Sequence, residues 1–240
     1  MRCKGRSWCI VMMLNELYKQ AGYKDKAGMM FNADCLDIMT KMNDGAVDFT
    51  LTDIPYDAVN RDSNGLRNLD KGNADIITFN LDEFLKQVLR VTSNSICIFC
   101  GKEQFSQIYK FFADIGKGTV RPIIWEKTNP SPMNGRYIYL SGVEMGVWYK
   151  KQRSKTFNAR CKNTVFHYPN GRSKLHPTEK NHALLEDLIK DNTNEGQTVF
   201  DPCCGSGSHC LVAKNLGRKY IGVELDEQYF DVAKGRLANA

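Results

Sequence analysis

The stretch LTDIPYD (51–57) places an acid, a proline and an aromatic close together where an apolar run ends. The exocyclic amine of a nucleobase is a poor nucleophile, because its lone pair is delocalised into the ring. Asp53 and a nearby backbone carbonyl could accept hydrogen bonds from such an amine and return electron density to its nitrogen. Pro55 would fix the backbone, and Tyr56 would offer a flat face for the base. The alternative is an ordinary turn with a capping Asp.

A second motif, FDPCCGSGS (200–208), has glycines suited to a ligand that lies against the backbone. Gly205 and Gly207 allow a sharp turn with no Cβ in the way, and the helix predicted behind them presents free N–H groups. Glu224 ends the next predicted strand, where an acid can bind a ribose diol. The third glycine of the dinucleotide fingerprint is absent, so the pattern favours a ribose-containing cofactor without a pyrophosphate. Plain turn glycines are the alternative.

These motifs need a scaffold, and the periodicity of the chain predicts one. Apolar runs predict strands at 46–53, 95–101, 119–127, 143–151, 197–201 and 219–226, and a further short apolar run, 29–34, also ends in an acid. Helical spacing is found at 35–43, 81–91, 102–116 and 178–191, in the segment ending at Leu216 and in the last stretch to Leu237. The alternation predicts an α/β fold, a mostly parallel sheet with helices on both faces. Ligands of such sheets bind beyond the carboxyl ends of the strands, and acids lie at or near four such ends: Asp34, Asp53, Asp201 and Glu224.

Positive charge is concentrated in the middle of the chain. Residues 117–180 contain 13 Lys/Arg and 3 Asp/Glu, whereas the whole chain has a net charge of +6. Such a field favours a polyanion such as nucleic acid, and a solvated lysine-rich face is the alternative.

The 240 residues fit one α/β domain, or a domain with an inserted lobe. No apolar run approaches the roughly 18 residues that span a bilayer. Residues 1–28 are interpreted as a poorly specified N-terminal leader. Nine cysteines without an export signal predict reduced thiols in the cytoplasm. Cys97 and Cys100 have C-x-x-C spacing within a predicted buried strand, so we expect inert thiols and no metal site.

The order of the motifs resembles the amino-directed DNA methyltransferases, which use S-adenosylmethionine and carry a D-P-P-Y signature. TDIPY (52–56) is followed by HPTEK (176–180), FDPCCGSGS and YIGVELD (220–226), an order similar to the β class of that family. The resemblance implies a seven-stranded-type methyltransferase sheet over 29–240. It also implies a target-recognition lobe inserted at about 128–175.

The resemblance implies catalytic roles for Asp53, Pro55 and Tyr56. It implies cofactor contacts for Asp34, Cys35, Asp53, His176, Pro177, Thr178, Lys180, Asp201, Pro202, Cys203, Gly205, Ser206, Gly207, Glu224 and Leu225. Candidate DNA-binding residues in the basic segment are Arg136, Lys150, Lys151, Arg153, Lys155, Arg160 and Lys162. Two positions depart from the family pattern: Ile54 replaces the first proline of the signature, and Cys203 replaces a common aromatic.

The implied reaction is methylation of adenine N6 in duplex DNA, because cytosine-N4 members more often carry Ser at the position of Asp53. A monomer or homodimer is expected, with a restriction endonuclease as a possible partner. The alternatives are a cytosine-N4 enzyme, an RNA or protein amine methyltransferase, and a non-catalytic nucleic-acid or cofactor sensor. A dinucleotide-dependent oxidoreductase leaves both DIPY and HPTEK unexplained.

Overall fold

The computed structural model describes Leu17 and residues 19–56, 77–132, 135–170 and 180–240. The sheet strands are β1 (Tyr23–Lys24), β2 (Gly28–Asn32), β3 (Val47–Asp53), β4 (Thr92–Cys100), β5 (Gly118–Lys127), β6 (Val143–Lys151), β7 (Val165–Tyr168), β8 (Thr198–Asp201) and β9 (Lys219–Glu224). Helices with both ends in the described residues are α1 (Cys35–Thr40), α2 (Leu81–Val91), α3 (Lys102–Ile115), α4 (His182–Asn192), α5 (Ser208–Asn215) and α6 (Glu227–Ala238).

The nine strands in the described residues form one sheet in the order β1-β2-β9-β8-β3-β4-β6-β5-β7. Strands β2, β9, β8, β3 and β4 pair in parallel, whereas β6 is antiparallel to both of its neighbours. The predicted α/β fold with a mostly parallel sheet is therefore confirmed. The carboxyl ends of the parallel strands share one side of the sheet, here named the carboxyl edge, and the opposite side is named the amino edge.

Helices cover both faces of the sheet, as the unbroken apolar runs predict. In β4 the side chains alternate: Ile96 and Ile98 belong to the buried cluster with α1, α2 and α3, and Cys97 and Phe99 to the cluster with α4, α5 and α6. A strand covered on both faces needs apolar residues at every position, which explains the sequence ICIFC. None of the helices in the described part of the chain has the length and apolar character needed to cross a membrane.

Two local details refine the predictions. Pro122 lies in the part of β5 that pairs only with β6, because the pairing of β5 with β7 starts at Ile124. Proline lacks a ladder donor and is tolerated where one side of the strand is open. Helix α4 begins at His182 rather than near position 178, because the Asn181 side chain caps it by accepting hydrogen bonds from the first-turn N–H groups.

The expected recognition segment, 128–175, contributes two strands to the main sheet, namely β6 and β7. Its described parts outside the sheet lie on opposite sides of it. The connection 128–142 joins the end of β5 to the start of β6 at the carboxyl edge, and residues 152–164 leave the end of β6 at the amino edge.

Candidate active site

Asp53, the last residue of β3, is held at the carboxyl edge by two neighbours. The Tyr56 hydroxyl donates a hydrogen bond to Asp53 Oδ1 at 2.8 Å. The Lys180 ammonium lies 2.7 Å from Asp53 Oδ2. These two contacts fix the direction of the carboxylate. Because 20% of the Asp53 side chain stays exposed, a ligand can still reach it.

Lys180 is the centre of a buried charge network. Only 5% of its side chain is exposed, and its ammonium also binds Glu144 Oε2. The other Glu144 oxygen lies 2.7 Å from Lys127 Nζ. Burial alone would raise the pKa of Glu144, but Lys180 and Lys127 outweigh it and lower that pKa to about 2. Burial would likewise lower the pKa of Lys180, yet Asp53, Tyr56 and Glu144 raise it well above its usual value.

Aromatic rings enclose this ammonium. Lys180 Nζ lies 5.5 Å from the ring centroid of Tyr56, 5.0 Å from that of Phe99 and 5.9 Å from that of Trp125. Such distances allow cation–π attraction. Burial, with the charge of Asp53 second, raises the pKa of Tyr56 well above its usual value. Tyr56 is therefore a neutral hydrogen-bond donor to Asp53.

The backbone of the DIPY stretch is fixed by two hydrogen bonds. Ile54 N–H donates to the Phe99 carbonyl at 3.1 Å, which extends the β3–β4 ladder by one residue. Gln104 Nε2 donates to the Pro55 carbonyl at 2.9 Å, and its Oε1 accepts from Gly101 N–H at 2.8 Å. The carbonyl expected to help Asp53 hold an amine belongs to Ile54 or Pro55, and that of Pro55 is thus oriented by a side chain of α3.

Glu224 and the glycine loop form a second cluster at the same edge. Gly205 N–H donates to Glu224 Oε2 at 2.7 Å, and Asp226 N–H donates to Oε1 at 2.9 Å. Burial, partly offset by these bonds, raises the pKa of Glu224 above its usual value. Each carboxylate oxygen keeps a further lone pair, so Glu224 can still accept hydrogen bonds from a diol.

Asp201 lies behind the glycine loop rather than at its surface. Its Oδ2 pairs with His209 Nδ1, its Oδ1 accepts from Cys203 N–H at 3.2 Å, and the side chain is almost fully buried. Ser206 is also buried and accepts a hydrogen bond from Arg236. Both residues therefore support the shape of the loop from inside.

The DNA methylase family model matches residues 47–235, a span that contains both clusters and every strand of the sheet except β1 and β2. This chain belongs to the DNA methylase family. Two type II methyltransferases match along nearly their whole length. M2.DpnII of Streptococcus pneumoniae is 24% identical over 261 residues, and M2.LlaDCHI of Lactococcus lactis subsp. cremoris is 25% identical over 262. Each match covers 94% of this chain and 97% of the relative.

Solved structures share the fold of this methylase. The M1.HpyAVI–SAM complex is 29% identical, with a TM-score of 0.68 over 88% of this chain and 100% of that one. The cytosine-N4-specific PvuII DNA methyltransferase is 17% identical, with a TM-score of 0.69 over 90% and 88% of the two chains, and supports the fold alone. S-adenosylmethionine is the methyl donor of the family and the cofactor of this methylase.

The carboxyl edge of the methylase presents groups that could bind this cofactor. Glu224 offers a carboxylate to a ribose, and the adjacent Leu225 side chain is 53% exposed, an apolar surface suited to a purine. Asp34 caps α1 by accepting from Leu36 N–H at 2.7 Å, and Ala33 N–H donates to the Glu224 carbonyl, which joins the ends of β2 and β9. His176, Pro177 and Thr178 lie outside the described residues.

The loop shape predicts a specific effect of Gly207→Ala. Gly207 has φ +78°, and an added Cβ would lie 2.8 Å from Ala233 Cβ. Gly116 has a similar φ of +62°, but an added Cβ would meet none of the described atoms within 4 Å. Gly116→Ala should therefore cost about 1–2 kcal/mol of unfolding free energy from backbone strain. Gly207→Ala should add about 1–3 kcal/mol from overpacking. Denaturant unfolding of both variants tests this, and equal losses would contradict the predicted clash.

Most of the candidate DNA-binding residues are not brought to the active site. Lys150 and Lys151 end β6 at the amino edge, and Lys151 Nζ donates to the Leu89 and Thr92 carbonyls. Lys162 lies 3.0 Å from Asp187 and 2.9 Å from Asp191. The remaining ones in the 152–164 connection are Arg153, Lys155 and Arg160. Arg136, in the 128–142 connection, is the candidate that the structure places at the carboxyl edge with Asp53.

Sequence reasoning missed Glu144, Lys127 and Gln104. The segment that contains Glu144 resembles the family, but neither periodicity nor spacing gave that acid a role. Glu144 lies inside an apolar strand, and a buried charge requires a partner. This combination was the available signal that Glu144 binds a basic residue. The partner, Lys180, had been assigned to the cofactor side.

Proposed function

We propose that this methylase transfers the methyl group of S-adenosylmethionine to the N6 amine of an adenine flipped out of duplex DNA. One observation carries the proposal: β9, β8 and β3 are adjacent and parallel, so Glu224 and Asp53 end their strands at the same edge. Two strand spacings separate β9 from β3, about 10 Å. A cofactor whose ribose binds Glu224 can therefore extend over β8 and present its methyl group near Asp53.

The residues of the chain provide orientation rather than covalent chemistry. When bound, the cofactor supplies a methyl group on a positively charged sulfur. Asp53 and a carbonyl of the DIPY stretch accept the amine hydrogens, which localises the lone pair on nitrogen and aims it at the methyl carbon. The N–C bond would form as the C–S bond breaks with its electron pair left on the now neutral sulfur, and the methylated amine would then lose a proton to solvent. The rate enhancement arises from proximity and from preoriented dipoles.

The choice of adenine over cytosine rests on Asp53. Adenine-directed members of the family tend to carry Asp at this position, whereas cytosine-directed members more often have Ser. The buried ammonium of Lys180 against Asp53 supports a role for the negative charge here, because a neutral serine would leave that ammonium with one carboxylate fewer.

Glu224→Ala is expected to weaken S-adenosylmethionine binding by at least about tenfold, since hydrogen bonds to a charged group contribute about 1.5–3 kcal/mol. The substitution also removes the acceptor of Gly205 N–H, so the loop loses its anchor. Glu227→Ala, at an exposed position in the first turn of α6, is the matched control and should bind normally. Calorimetric titration of the folded variants measures the cofactor affinity of each. If Glu224→Ala binds S-adenosylmethionine as tightly as Glu227→Ala, Glu224 is not part of the cofactor site.

The class of substrate is tested by offering different acceptors to the same protein. Tritium transfer from labelled S-adenosylmethionine is measured with unmethylated plasmid DNA, with transcribed RNA and with a denatured protein mixture. The proposal requires that duplex DNA be labelled at the highest rate. Preferential labelling of RNA or protein would assign the site to a different class of amine. Cofactor binding with no transfer would indicate a non-catalytic sensor.

We also propose a cytoplasmic location together with the DNA, and a restriction endonuclease that shares the target sequence. The similarity to type II methyltransferases supports the proposed endonuclease partner. Whether the active form is a monomer or a homodimer is measured by light scattering.

A further inference from the structure

The connection between β5 and β6 carries an unusual surface at the carboxyl edge. It is closed at its base, where Lys127 N–H donates to the Gly142 carbonyl at 2.7 Å. Beyond that base, four large apolar side chains follow one another at positions 137–140. We name residues 136–140, sequence RYIYL, the aromatic tip.

The aromatic tip is exposed where burial would be expected. Tyr137 is 80%, Ile138 62% and Leu140 41% exposed, and Tyr139 is fully exposed. Single exposed apolar residues are ordinary, but a run of them at a loop tip indicates a contact surface. Arg136 lies 5.7 Å from the Tyr137 ring centroid, and the segment 128–142 contains no acidic residue. The tip is therefore apolar, aromatic and positively charged.

The base of this connection is attached to the catalytic acid. Glu144, the second residue of β6 after the connection, binds Lys180, and Lys180 binds Asp53. Lys127, on the other side of the base, binds the same Glu144. The loop that presents the tip is thereby fixed relative to the place where a flipped base must lie.

We propose that the aromatic tip inserts into the DNA duplex beside the target and stacks in the space that the flipped base leaves. This inference rests on the proposed function. Flipping costs the stacking and pairing of one base. Other DNA-binding proteins insert apolar side chains between base steps, and stacking of an aromatic ring on the neighbouring bases would offset part of the cost of flipping. Arg136 would contact an adjacent phosphate. A second copy of this chain fits the tip less well, because two copies would bring like charges together.

The test compares removal of the rings with removal of the hydroxyls alone. The methylated sequence is first mapped on plasmid DNA with wild-type protein. Oligonucleotide duplexes then carry that sequence with the target base either paired or opposite an abasic site. The variants are Tyr137→Ala/Tyr139→Ala and its matched control Tyr137→Phe/Tyr139→Phe. Phe157→Ala, which removes an exposed aromatic in the 152–164 connection, controls for the loss of any surface ring.

The alanine pair should lower kcat/KM on the paired duplex by at least about tenfold, given the usual contribution of base–aromatic stacking. The phenylalanine pair and Phe157→Ala should keep the wild-type kcat/KM on the paired duplex. On the abasic duplex the loss should shrink, because that target base is already unpaired. Retained activity of the alanine pair on the paired duplex, or an equal loss of kcat/KM on both duplexes, would overturn this inference and leave the proposed function intact.

Self-association is a separate outcome of the same variants. A wild-type dimer that becomes a fully active monomer in the alanine pair would show that the tip binds a second copy, and would overturn the inference. A wild-type protein that methylates no DNA would overturn the proposed function and this inference together.

Discussion

Asp53→Ala should lower the rate of methyl transfer by at least about 100-fold, the usual loss when one preoriented electrostatic group is removed from a catalytic site. The substitution removes the acceptor that holds the target amine, and it also removes the acceptor of the Tyr56 hydroxyl proton. Binding of S-adenosylmethionine should stay close to normal, because the Glu224 cluster lies two strands away. Single-turnover transfer and calorimetric cofactor titration measure the two quantities separately.

Two further variants sharpen this result. Asp53→Asn keeps the shape of the side chain and removes its charge, so a loss comparable to that of alanine would assign the effect to the carboxylate. Asp44→Ala removes an exposed acid paired with Arg90, far from the carboxyl edge, and should leave transfer unchanged. Near-normal turnover of Asp53→Ala would exclude Asp53 as the catalytic acid.

Lys180→Met should destabilise the fold by about 3–5 kcal/mol, the usual cost of leaving buried partners without their counter-charge. Asp53 and Glu144 both lose the ammonium that lies between them. Transfer should also fall, because Asp53 loses one of its two fixed contacts. Lys190→Met is the matched control: it breaks an exposed i,i+4 pair with Glu186, which contributes at most about 1 kcal/mol.

The pH dependence of stability distinguishes lost charge from lost packing in Lys180→Met. The wild-type pKa of Glu144 is lowered to about 2, so its contribution is present above the unfolded value of 4.5 and is lost as the pH falls toward 2. The raised pKa of Lys180 means that its contribution is present below the unfolded value of 10.5. The difference in unfolding free energy between wild type and Lys180→Met should therefore be largest between pH 4.5 and pH 10.5, and it should shrink in acid. Adding Glu144→Gln to Lys180→Met should recover part of the loss, whereas a pH-independent difference would indicate packing.

The sequence predicted the strands that form the site more securely than the contacts within it. Unbroken apolar runs such as ICIFC identify strands covered on both faces, and the acids that follow such runs identify the carboxyl edge. Pairings between distant segments leave no periodic signal. Lys180 therefore could be placed near the cofactor by its motif, yet its contacts with Asp53 and Glu144 required the fold.

The count of basic residues in 117–180 overstated the positive charge of the surface, because a count also ignores contacts between distant segments. Lys127, Lys151, Lys162 and Lys180 all lie in the basic segment, but each binds a carboxylate or backbone carbonyls. A count cannot separate such lysines from solvated ones. The segment 117–180 also contributes three strands to the sheet, β5, β6 and β7, so its charges are divided between two edges and only some of them can act near Asp53.

Ile54 shows how a departure from a motif can be compensated locally. A proline at this position would have no N–H, whereas Ile54 donates its N–H to the Phe99 carbonyl and buries its side chain in the core. The turn is thus held by a ladder bond and by packing instead of a ring. We therefore expect the tetrapeptide to tolerate the exchange.

The most direct test is the identity of the methylated nucleoside. The protein is incubated with isotope-labelled S-adenosylmethionine and unmethylated duplex DNA, the DNA is digested to nucleosides, and the product is identified by mass spectrometry, with Asp53→Ala as the blank. The proposal predicts labelled N6-methyladenine that is absent from the blank. Labelled N4-methylcytosine would contradict the assignment of adenine, and no labelled nucleoside from a protein that binds its cofactor would contradict DNA methylation itself.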